Sequence, residues 1–201
     1  MMKFPVILAL CVSLLVLTGC SGSPNPERGA GVSVVADIDH DTAWSLLQDF
    51  SLAHNYVPGL SRTEIMSDAT SGVGAHRRVY DMDGGYIEET IFRWEPGSGF
   101  TIRLHEGEKP MAPFESVFFD YALFDAGKGK TRIELALRFV MPWGGLGDWI
   151  GRQFIVPTME ESLIEVAAGM KSFYETGKPA TDADRARLAS QVSVTRDAGD
   201  A

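Results

Sequence analysis

The amino-acid sequence predicts an α+β domain in which a curved antiparallel sheet of seven strands wraps around one long carboxy-terminal helix. Three observations support this. Alternating apolar and polar residues form one run at 31–38 and six more between 61 and 141. Two short helical segments separate the first run from the rest. Residues 149–174 carry apolar side chains three and four positions apart, so one helix offers an apolar stripe to the sheet.

Length, charge and cysteine content limit the class of protein. The chain has 201 residues, 45% of them hydrophobic and 22% charged, which suits one globular domain with one core. A formal net charge of -9 opposes contact with a phosphate backbone, so no nucleic-acid partner is expected. Both cysteines, Cys11 and Cys20, precede the predicted domain, so we expect neither a disulfide framework nor a cysteine-ligated zinc.

The amino terminus has the pattern of an export signal. The apolar run at 4–17 is shorter than the roughly 20 residues of a spanning helix. Leu-Thr-Gly-Cys at 17–20 resembles the lipobox of bacterial lipoproteins. That resemblance implies a signal peptide at 1–19 and a lipid anchor on Cys20, so the chain would face the periplasm from the cell envelope. Ser21 resembles the outer-membrane sorting pattern, and retention in the inner membrane is the alternative.

A linker, one domain and a tail are expected after the signal peptide. Residues 20–30 are rich in Ser, Gly and Pro and predict a flexible linker. The domain itself is expected over 31–177. Residues 178–201 are small, polar and charged, which predicts a disordered tail with at most a turn or two of helix.

Within the domain, each element has a local signal. The first strand, at 31–38, precedes a helix at 42–50 that Asp39 or Asp41 can cap, and Pro58-Gly59 must end a second short helix. Turn-forming residues then separate six predicted strands. These strands are expected at 61–66, 74–82, 85–95, 99–106, 114–125 and 131–141.

The long helix has its own start, break and stop signals. A glycine-rich connector at 144–147 precedes the apolar stripe. Pro157 lacks the backbone donor and should kink or divide the helix, and Gly177 should end it.

This order of elements resembles the START-like, or SRPBCC, superfamily in its polyketide cyclase/dehydrase and lipid-transport branch. The resemblance spans about 31–177 and rests on the order of elements and on several short segments rather than on one diagnostic motif. It implies a helix-grip fold with a mostly apolar cavity between sheet and long helix. The segments that carry it are Asp39-His40-Asp41-Thr42-Ala43-Trp44, Asp49-Phe50, Val57-Pro58-Gly59, Gly72-Val73-Gly74-Ala75 with Arg77, and Ile87-Glu88-Glu89.

The resemblance also implies which residues contact a ligand. The fold hosts binding proteins as well as enzymes, so it indicates the kind of site and not a reaction. A helical apolar stripe is more often packed core than ligand wall, and both roles are compatible. The candidate ligand-binding residues are Tyr56, Arg77, Glu89, Leu135, Leu137, Met159, Leu163, Val166, Met170 and Phe173.

The superfamily pattern has an arginine and a glutamate at Arg77 and Glu89, but the hairpin between them leaves their pairing open. A two-residue loop sets Arg78 opposite Glu89, whereas a three-residue loop brings Arg77 and Glu89 onto one face. The pair either lies inside the cavity and orients a polar ligand group, or forms a solvated cross-strand ion pair of little energetic value.

Other residues give weaker signals. The four histidines lack paired ligand spacing, so no metal site is expected, and no cofactor or catalytic residue is specified. His54 beside the Pro58 loop suits a pocket mouth, whereas His76 and His105 alternate with inward positions and are expected to face solvent. The segment around Trp143 and Trp149 is either a membrane-facing lip or a loop folded on its own tryptophans.

The leading hypothesis is a lipid-anchored envelope protein that binds or carries a small hydrophobic ligand, such as a lipid, a sterol-like molecule, an isoprenoid or an aromatic metabolite. The first alternative is a cyclase or dehydratase that uses the same cavity. Convergence of His54, Tyr56, Arg77 and Glu89 would favour that enzyme. The second alternative is a module that presents an acidic surface to a partner protein. The ligand, the oligomeric state and the membrane leaflet are not specified by the sequence.

Overall fold

A computed structural model describes residues 25–195 of the chain. The predicted signal peptide at 1–19, the predicted lipidation site Cys20 and the end of the tail at 196–201 lie outside the described residues. Within the described part, no helix is long and apolar enough to cross a membrane.

One antiparallel sheet carries the fold. Its strands follow the order β2-β3-β4-β5-β7-β8-β1-β9, and the two-residue strand β6 pairs with β5. The sheet therefore contains the seven expected strands and two very short ones that the sequence pattern did not reveal. The strands are β1 Glu27–Ala36, β2 Leu60–Ile65, β3 His76–Asp81, β4 Tyr86–Glu95, β5 Gly99–Glu106, β6 Lys109–Pro110, β7 Ser116–Gly127, β8 Lys130–Val140 and β9 Ser193–Thr195.

Within residues 25–195, four α-helices accompany the sheet, and the longest, α3, packs against β1 and β8. The α+β architecture with an antiparallel sheet and a long carboxy-terminal helix is the predicted one. Its helices are α1 His40–Leu47, α2 Gly144–Ile150, α3 Val156–Thr176 and α4 Asp182–Leu188.

Alternation along the central strands builds the core. Inward residues of β7 pair with inward residues of β8, as Tyr121 with Leu135 and Leu123 with Ile133. All four of these side chains are buried. The neighbouring positions on the same strands face the opposite, convex side, where Arg138 binds Asp120 at 2.6 Å. One side of the sheet is therefore apolar and meets α3, and the other is charged.

The predicted long helix is continuous but changes its winding. The glycine-rich segment expected as a connector forms α2, and a π-helical segment, Gly151–Ile155, joins α2 to α3. Pro157 then lies in the first turn of α3, where a missing N–H costs least. Gly177 ends the helix in a left-handed conformation (φ 68°), and its N–H donates to the Phe173 carbonyl.

Two close contacts fix α3 against its surroundings. Buried Lys171 donates from Nζ to the Val35 carbonyl at 2.7 Å and to Glu175 at 2.6 Å, which ties the helix to β1. Gly169 lets the helix approach the Tyr56 carbonyl so closely that an added Cβ would collide with that oxygen.

Two expected boundaries differ from the structure. Strand β1 begins at Glu27, inside the predicted linker, because Arg28 binds Asp148 and Arg138 binds Glu27. The second short helix is only the 3-10 turn Ala53–Asn55, since the chain must turn again before Pro58.

The described part of the tail is folded, which corrects the expectation of disorder there. A capping box starts α4. The Thr181 hydroxyl accepts from the Asp184 N–H, and the Asp184 carboxylate accepts from the Thr181 N–H. Leu188 is buried, and α4 packs against α3. The chain then adds β9 to the edge of the sheet beside β1.

The close approach at Gly169 yields a testable prediction. We expect Gly169→Ala to lower the free energy of unfolding by about 1–3 kcal/mol, because the methyl group forces apart the helix and the Tyr56 backbone. Urea titration measures this loss. Gly145→Ala is the matched control, since an added Cβ there meets no atom within 4 Å, and its effect should stay within about 0.5 kcal/mol. Equal effects in the two variants would contradict the close-packing argument.

Candidate functional site

A buried ion pair stands on the concave face of the sheet. Arg77 on β3 is 1% exposed and donates from Nε to Glu89 Oε2 on β4 at 2.6 Å. Its Nη1 donates to the Phe50 carbonyl at 2.7 Å, and its guanidinium carbon lies 3.9 Å from the centre of the Phe50 ring. The arginine therefore joins β3, β4 and the chain that follows α1.

The hairpin register decides between the two pairings that the sequence leaves open. Arg77 lies opposite Glu89 and Arg78 lies opposite Glu88. The Asp81 N–H donates to the Gly85 carbonyl, so the loop has three residues, and Gly84 takes the left-handed conformation that such a loop requires. The inward pair is Arg77 with Glu89, as the three-residue alternative predicts.

Two tyrosines complete this polar cluster. Burial raises the pKa of Tyr56, against the opposing effect of the Arg77 charge. Burial also raises the pKa of Tyr121 on β7 well above its ordinary value, and the nearby Tyr56 adds to that rise. Burial alone would lower the pKa of Arg77, but the Glu89 carboxylate more than reverses that effect. The cluster thus holds two protonated phenols beside a charged pair.

The other predicted residues form two groups. Five are buried and act as core, one on β8 and four on α3. Leu137 and Met159 are only partly buried. The five buried residues are Leu135, Leu163, Val166, Met170 and Phe173.

The partial exposure of Leu137 identifies an accessible band on the concave face. Leu137 shares its side of β8 with Leu135 and Phe139, which are 1% and 0% exposed. Phe119, the residue opposite Leu137 on β7, is also slightly accessible to solvent, with 8% of its surface exposed. Met159, on the amino-terminal half of α3, is partly buried as well. Solvent therefore reaches Leu137 and Phe119 on the concave face and Met159 in the first turns of α3.

The accessible band extends to the polar cluster. Leu104 on β5 lies opposite Glu89 on β4, and both residues are 9% exposed. Both nitrogens of Arg77 that approach Glu89 contact its Oε2. Within residues 25–195, no hydrogen bond reaches Oε1 of Glu89. A mostly apolar surface with one carboxylate oxygen at its edge is the kind of lining that small-molecule sites use.

Two surface clefts lie outside this band, each of about 470 Å³. One is formed by the start of α1 and the turn between β7 and β8, and the other by the end of α1 and the segment after β2. Neither is lined by a residue predicted to contact a ligand, so the candidate site remains the accessible band.

Sequence reasoning missed three residues of the site: Tyr121, Phe119 and Phe50. Tyr121 and Phe119 sit at inward positions of the alternating pattern of β7, which was a usable signal. Phe50 acts through its backbone carbonyl, and a residue-type pattern carries no signal for such a role.

A second buried polar cluster lies on the convex face. Glu88, 5% exposed, accepts from Arg78 Nε and Nη2 at 2.9 and 2.8 Å and from the Gly107 N–H at 2.7 Å. His105 Nδ1 lies 2.6 Å from the Gly107 carbonyl, which can only accept, so Nδ1 carries the proton. His76 lies within 3.8 Å of Glu88. This cluster holds down the hairpin after β5.

The histidines differ from expectation in one respect. His76 and His105 do lie on the convex face, but His105 is buried at 5% exposure because the following hairpin folds over it. His54 contacts Thr63 through Nδ1 at 3.2 Å and does not join the polar cluster. Among the described residues, no group of three potential ligands can hold a metal ion.

The sequence profile of the family described as "Polyketide cyclase / dehydrase and lipid transport" matches residues 30–175. The chain belongs to this family. The family is part of the START-like superfamily, so the helix-grip resemblance read from the sequence is confirmed. Its members generally bind small hydrophobic ligands, and this fold is one of hydrophobic ligand binding or of polyketide cyclase-like chemistry.

Solved structures agree on the fold. Truncated norcoclaurine synthase from Thalictrum flavum has a TM-score of 0.58 at 14% identity, over 76% of this chain and 96% of that one. A protein of Nitrosospira multiformis has a TM-score of 0.57 at 12% identity, over 76% and 98%. A START superfamily protein from Mycobacterium smegmatis has a TM-score of 0.54 at 13% identity, over 75% and 99%. No curated protein matches the sequence.

The ion pair of this family member predicts a large energetic cost of losing one partner. We expect Arg77→Met to lower the free energy of unfolding by about 3–5 kcal/mol, because Glu89 is left as a buried charge without compensation. Arg93→Met is the control. Its pair with Glu95 is 62% and 58% exposed, so the loss should be below about 1 kcal/mol. The double variant Arg77→Met/Glu89→Leu should recover part of the loss, and full additivity would contradict the pairing.

The Glu88 cluster predicts a pH dependence of stability. Hydrogen bonds from Arg78 hold the pKa of Glu88 below its ordinary value of 4.5. A carboxylate with a lowered pKa stabilises the fold above its unfolded-state pKa, and this contribution disappears as pH falls through the folded-state pKa. We therefore expect the unfolding free energy of Glu88→Gln to fall less than that of the wild type as pH drops below 4.5. Urea titrations across that range measure it, and parallel curves would contradict the assignment.

Proposed function

We propose that this protein is a lipid-anchored lipoprotein of the bacterial envelope that binds or carries a small hydrophobic molecule. The molecule would lie on the accessible band of the concave face, under the amino-terminal half of α3. Candidate chemical classes are lipids, sterol-like molecules, isoprenoids and aromatic metabolites. Family membership and the lining of the band favour this function over a module that only presents an acidic surface.

The single observation that carries the proposal is the exposure pattern along β8. A strand of a closed core buries all its inward residues, as β8 does at Ile133, Leu135 and Phe139, which are 0%, 1% and 0% exposed. Leu137 faces the same way and is only partly buried. An apolar guest placed against Leu137 and Phe119 would remove both from water, and each methylene so buried contributes about 0.8 kcal/mol.

Glu89 supplies the polar end of the proposed site. Its Oε2 is committed to Arg77, and its Oε1 is the acceptor that a ligand hydroxyl would meet. Arg77 is enclosed and binds Oε2 of Glu89 through two nitrogens, so it positions Glu89 rather than contacting the guest. The proposed ligand is thus mainly apolar with a hydrogen-bond donor at one end.

Attachment to the envelope rests on the sequence. The lipobox resemblance at 17–20 and the apolar run before it support a lipid on Cys20, and Ser21 supports the outer membrane. Two or more acyl chains on one cysteine would hold the domain stably at a bilayer, whereas one chain would not.

A second candidate is a cyclase or dehydratase that uses the same face. Tyr56 and Tyr121 lie beside Glu89 and Arg77, and burial keeps both phenols protonated, so they suit hydrogen-bond donation to a bound substrate. His54, the fourth group expected for such an enzyme, does not join the cluster. Loss of turnover in Tyr121→Phe with ligand retained would favour this enzyme.

Filling the space beside Leu137 tests the binding proposal. We expect the full chain purified from bacterial envelopes to carry an apolar molecule that denaturing mass spectrometry detects. Leu137→Trp should reduce its amount at least tenfold, equivalent to about 1.4 kcal/mol, because the indole would cover the apolar surface on which we place the guest.

Glu134→Trp is the control for this experiment, since it adds the same ring on the convex side of the same strand and should keep the molecule. Both variants must retain cooperative unfolding. Preparations of wild type that are repeatedly empty, with no thermal shift from dehydroergosterol or palmitoleic acid, would contradict the proposal.

A further inference from the structure

Four large apolar side chains are exposed together at one end of the molecule. Trp143, Leu146, Trp149 and Phe154 are 65%, 62%, 50% and 59% exposed. They lie within 12 consecutive residues, from the residue before α2 to the fourth residue of the π-helical segment. The rings of Trp149 and Phe154 contact each other edge to face, with centroids 5.6 Å apart. We call these four residues the apolar end patch.

The packing of α2 explains why these side chains are displayed. Gly147 is buried so closely against Pro142 that an added Cβ would collide with the proline carbonyl. A Cβ on Gly151 would lie 3.2 Å from the Phe139 ring, which is a tight contact. Small residues thus face the end of the sheet, and the bulky ones are left outside. The sequence reading of a loop folded on its own tryptophans is therefore wrong for Trp143 and Trp149, because both remain exposed.

The chain enters the domain beside this patch. Asn25, the first described residue, lies 4.0 Å from the position that a Cβ would take on Gly144. Arg28 at the start of β1 binds Asp148 in α2. Five residue steps separate Asn25 from Cys20, and an extended chain of that length reaches at most about 18 Å.

We infer that the apolar end patch docks onto the bilayer to which Cys20 is anchored. This inference rests on the lipid anchor of the proposed function. A lipid on Cys20 would hold the entry point of the domain within about 18 Å of the membrane surface. The patch is the apolar surface next to that point. Tryptophans favour the membrane interface because their rings are apolar with one polar N–H, so two of them suit this contact.

Local charge is compatible with this occupant. Asp148 is the acidic residue within the patch segment, and Arg28 and Arg152 both bind it. Those hydrogen bonds hold the pKa of Asp148 below its ordinary value, so it remains paired. A carboxylate neutralised by two arginines opposes a membrane surface far less than a free one would.

Docking also sets which part of the domain meets the lipid. Leu137 lies three residues before the end of β8, and the chain passes from there into α2. Met159 lies four residues after Ile155, where the π-helical segment ends. The accessible band therefore opens next to the patch, and an apolar guest would pass between bilayer and band over a short path.

Tryptophan quenching by brominated lipid tests the contact. The full acylated chain is reconstituted into vesicles of phosphatidylethanolamine and phosphatidylglycerol with or without brominated phosphatidylcholine. The chain has four tryptophans, and Trp44 and Trp94 form a separate pair with ring centroids 5.1 Å apart. We expect bromine to remove most of the emission of Trp44→Phe/Trp94→Phe. Bromine should leave the emission of Trp143→Phe/Trp149→Phe unchanged. The quenching of the wild type minus that of this variant gives a second measure of the quenching of Trp143 and Trp149.

The outcomes separate this inference from the proposed function. Mass spectrometry of the amino-terminal peptide reports whether Cys20 is acylated, and a chain without lipid there would overturn both the anchor and the docking. If the chain is acylated and bromine does not quench Trp143 and Trp149, the docking is overturned and the lipid anchor is not. A stable dimer in detergent with the same insensitivity would mean that a second copy covers the patch, which also overturns it.

Discussion

A guanidinium with almost no access to water lies on the concave face, one strand in from the β2 edge, and the fold around it is arranged to keep it paired. Arg77 reaches Glu89 on the next strand and the Phe50 carbonyl beyond α1. An isolated charge at that depth would be very costly, so the register of the hairpin and the path of the chain after α1 are fixed together. The same constraint orients Glu89, which carries the polar edge of the candidate site.

Much of the fold was predictable because the residues that are apolar in the sequence pattern are those that the folded structure buries. Strand β8 alternates apolar and charged residues along its whole length, and its predicted and observed bounds differ by one residue at each end. Disagreement arises where local composition misleads. Glycine-rich α2 resembles a loop in sequence, yet Gly147 within it is needed for close packing against Pro142. Polar α4 resembles a disordered tail, although Thr181 and Asp184 have the spacing of a capping box, which marks the amino terminus of a helix.

The candidate site was only partly predictable, for a physical reason. An alternating pattern identifies which side of a strand faces inward, and it correctly assigned Leu135 and Leu137 to one side. It does not tell a packed inward residue from an accessible one, because that difference depends on how far α3 stands from the sheet. The same limit applies to His105, whose side of β5 was correct but whose burial comes from a hairpin farther along the chain.

The short strand β9 has a consequence for molecules crowded on a surface. It pairs with β1 at Gly31 to Ser33, where Thr195 leaves room for no side chain on Gly31. Without it, β1 would present free amide and carbonyl groups along one margin of the sheet, which is how neighbouring chains join into larger aggregates. The far margin, β2, carries Arg62 and Glu64 instead, charges that discourage stacking. Copies of this domain at high concentration therefore meet fewer free strand edges through which they could aggregate.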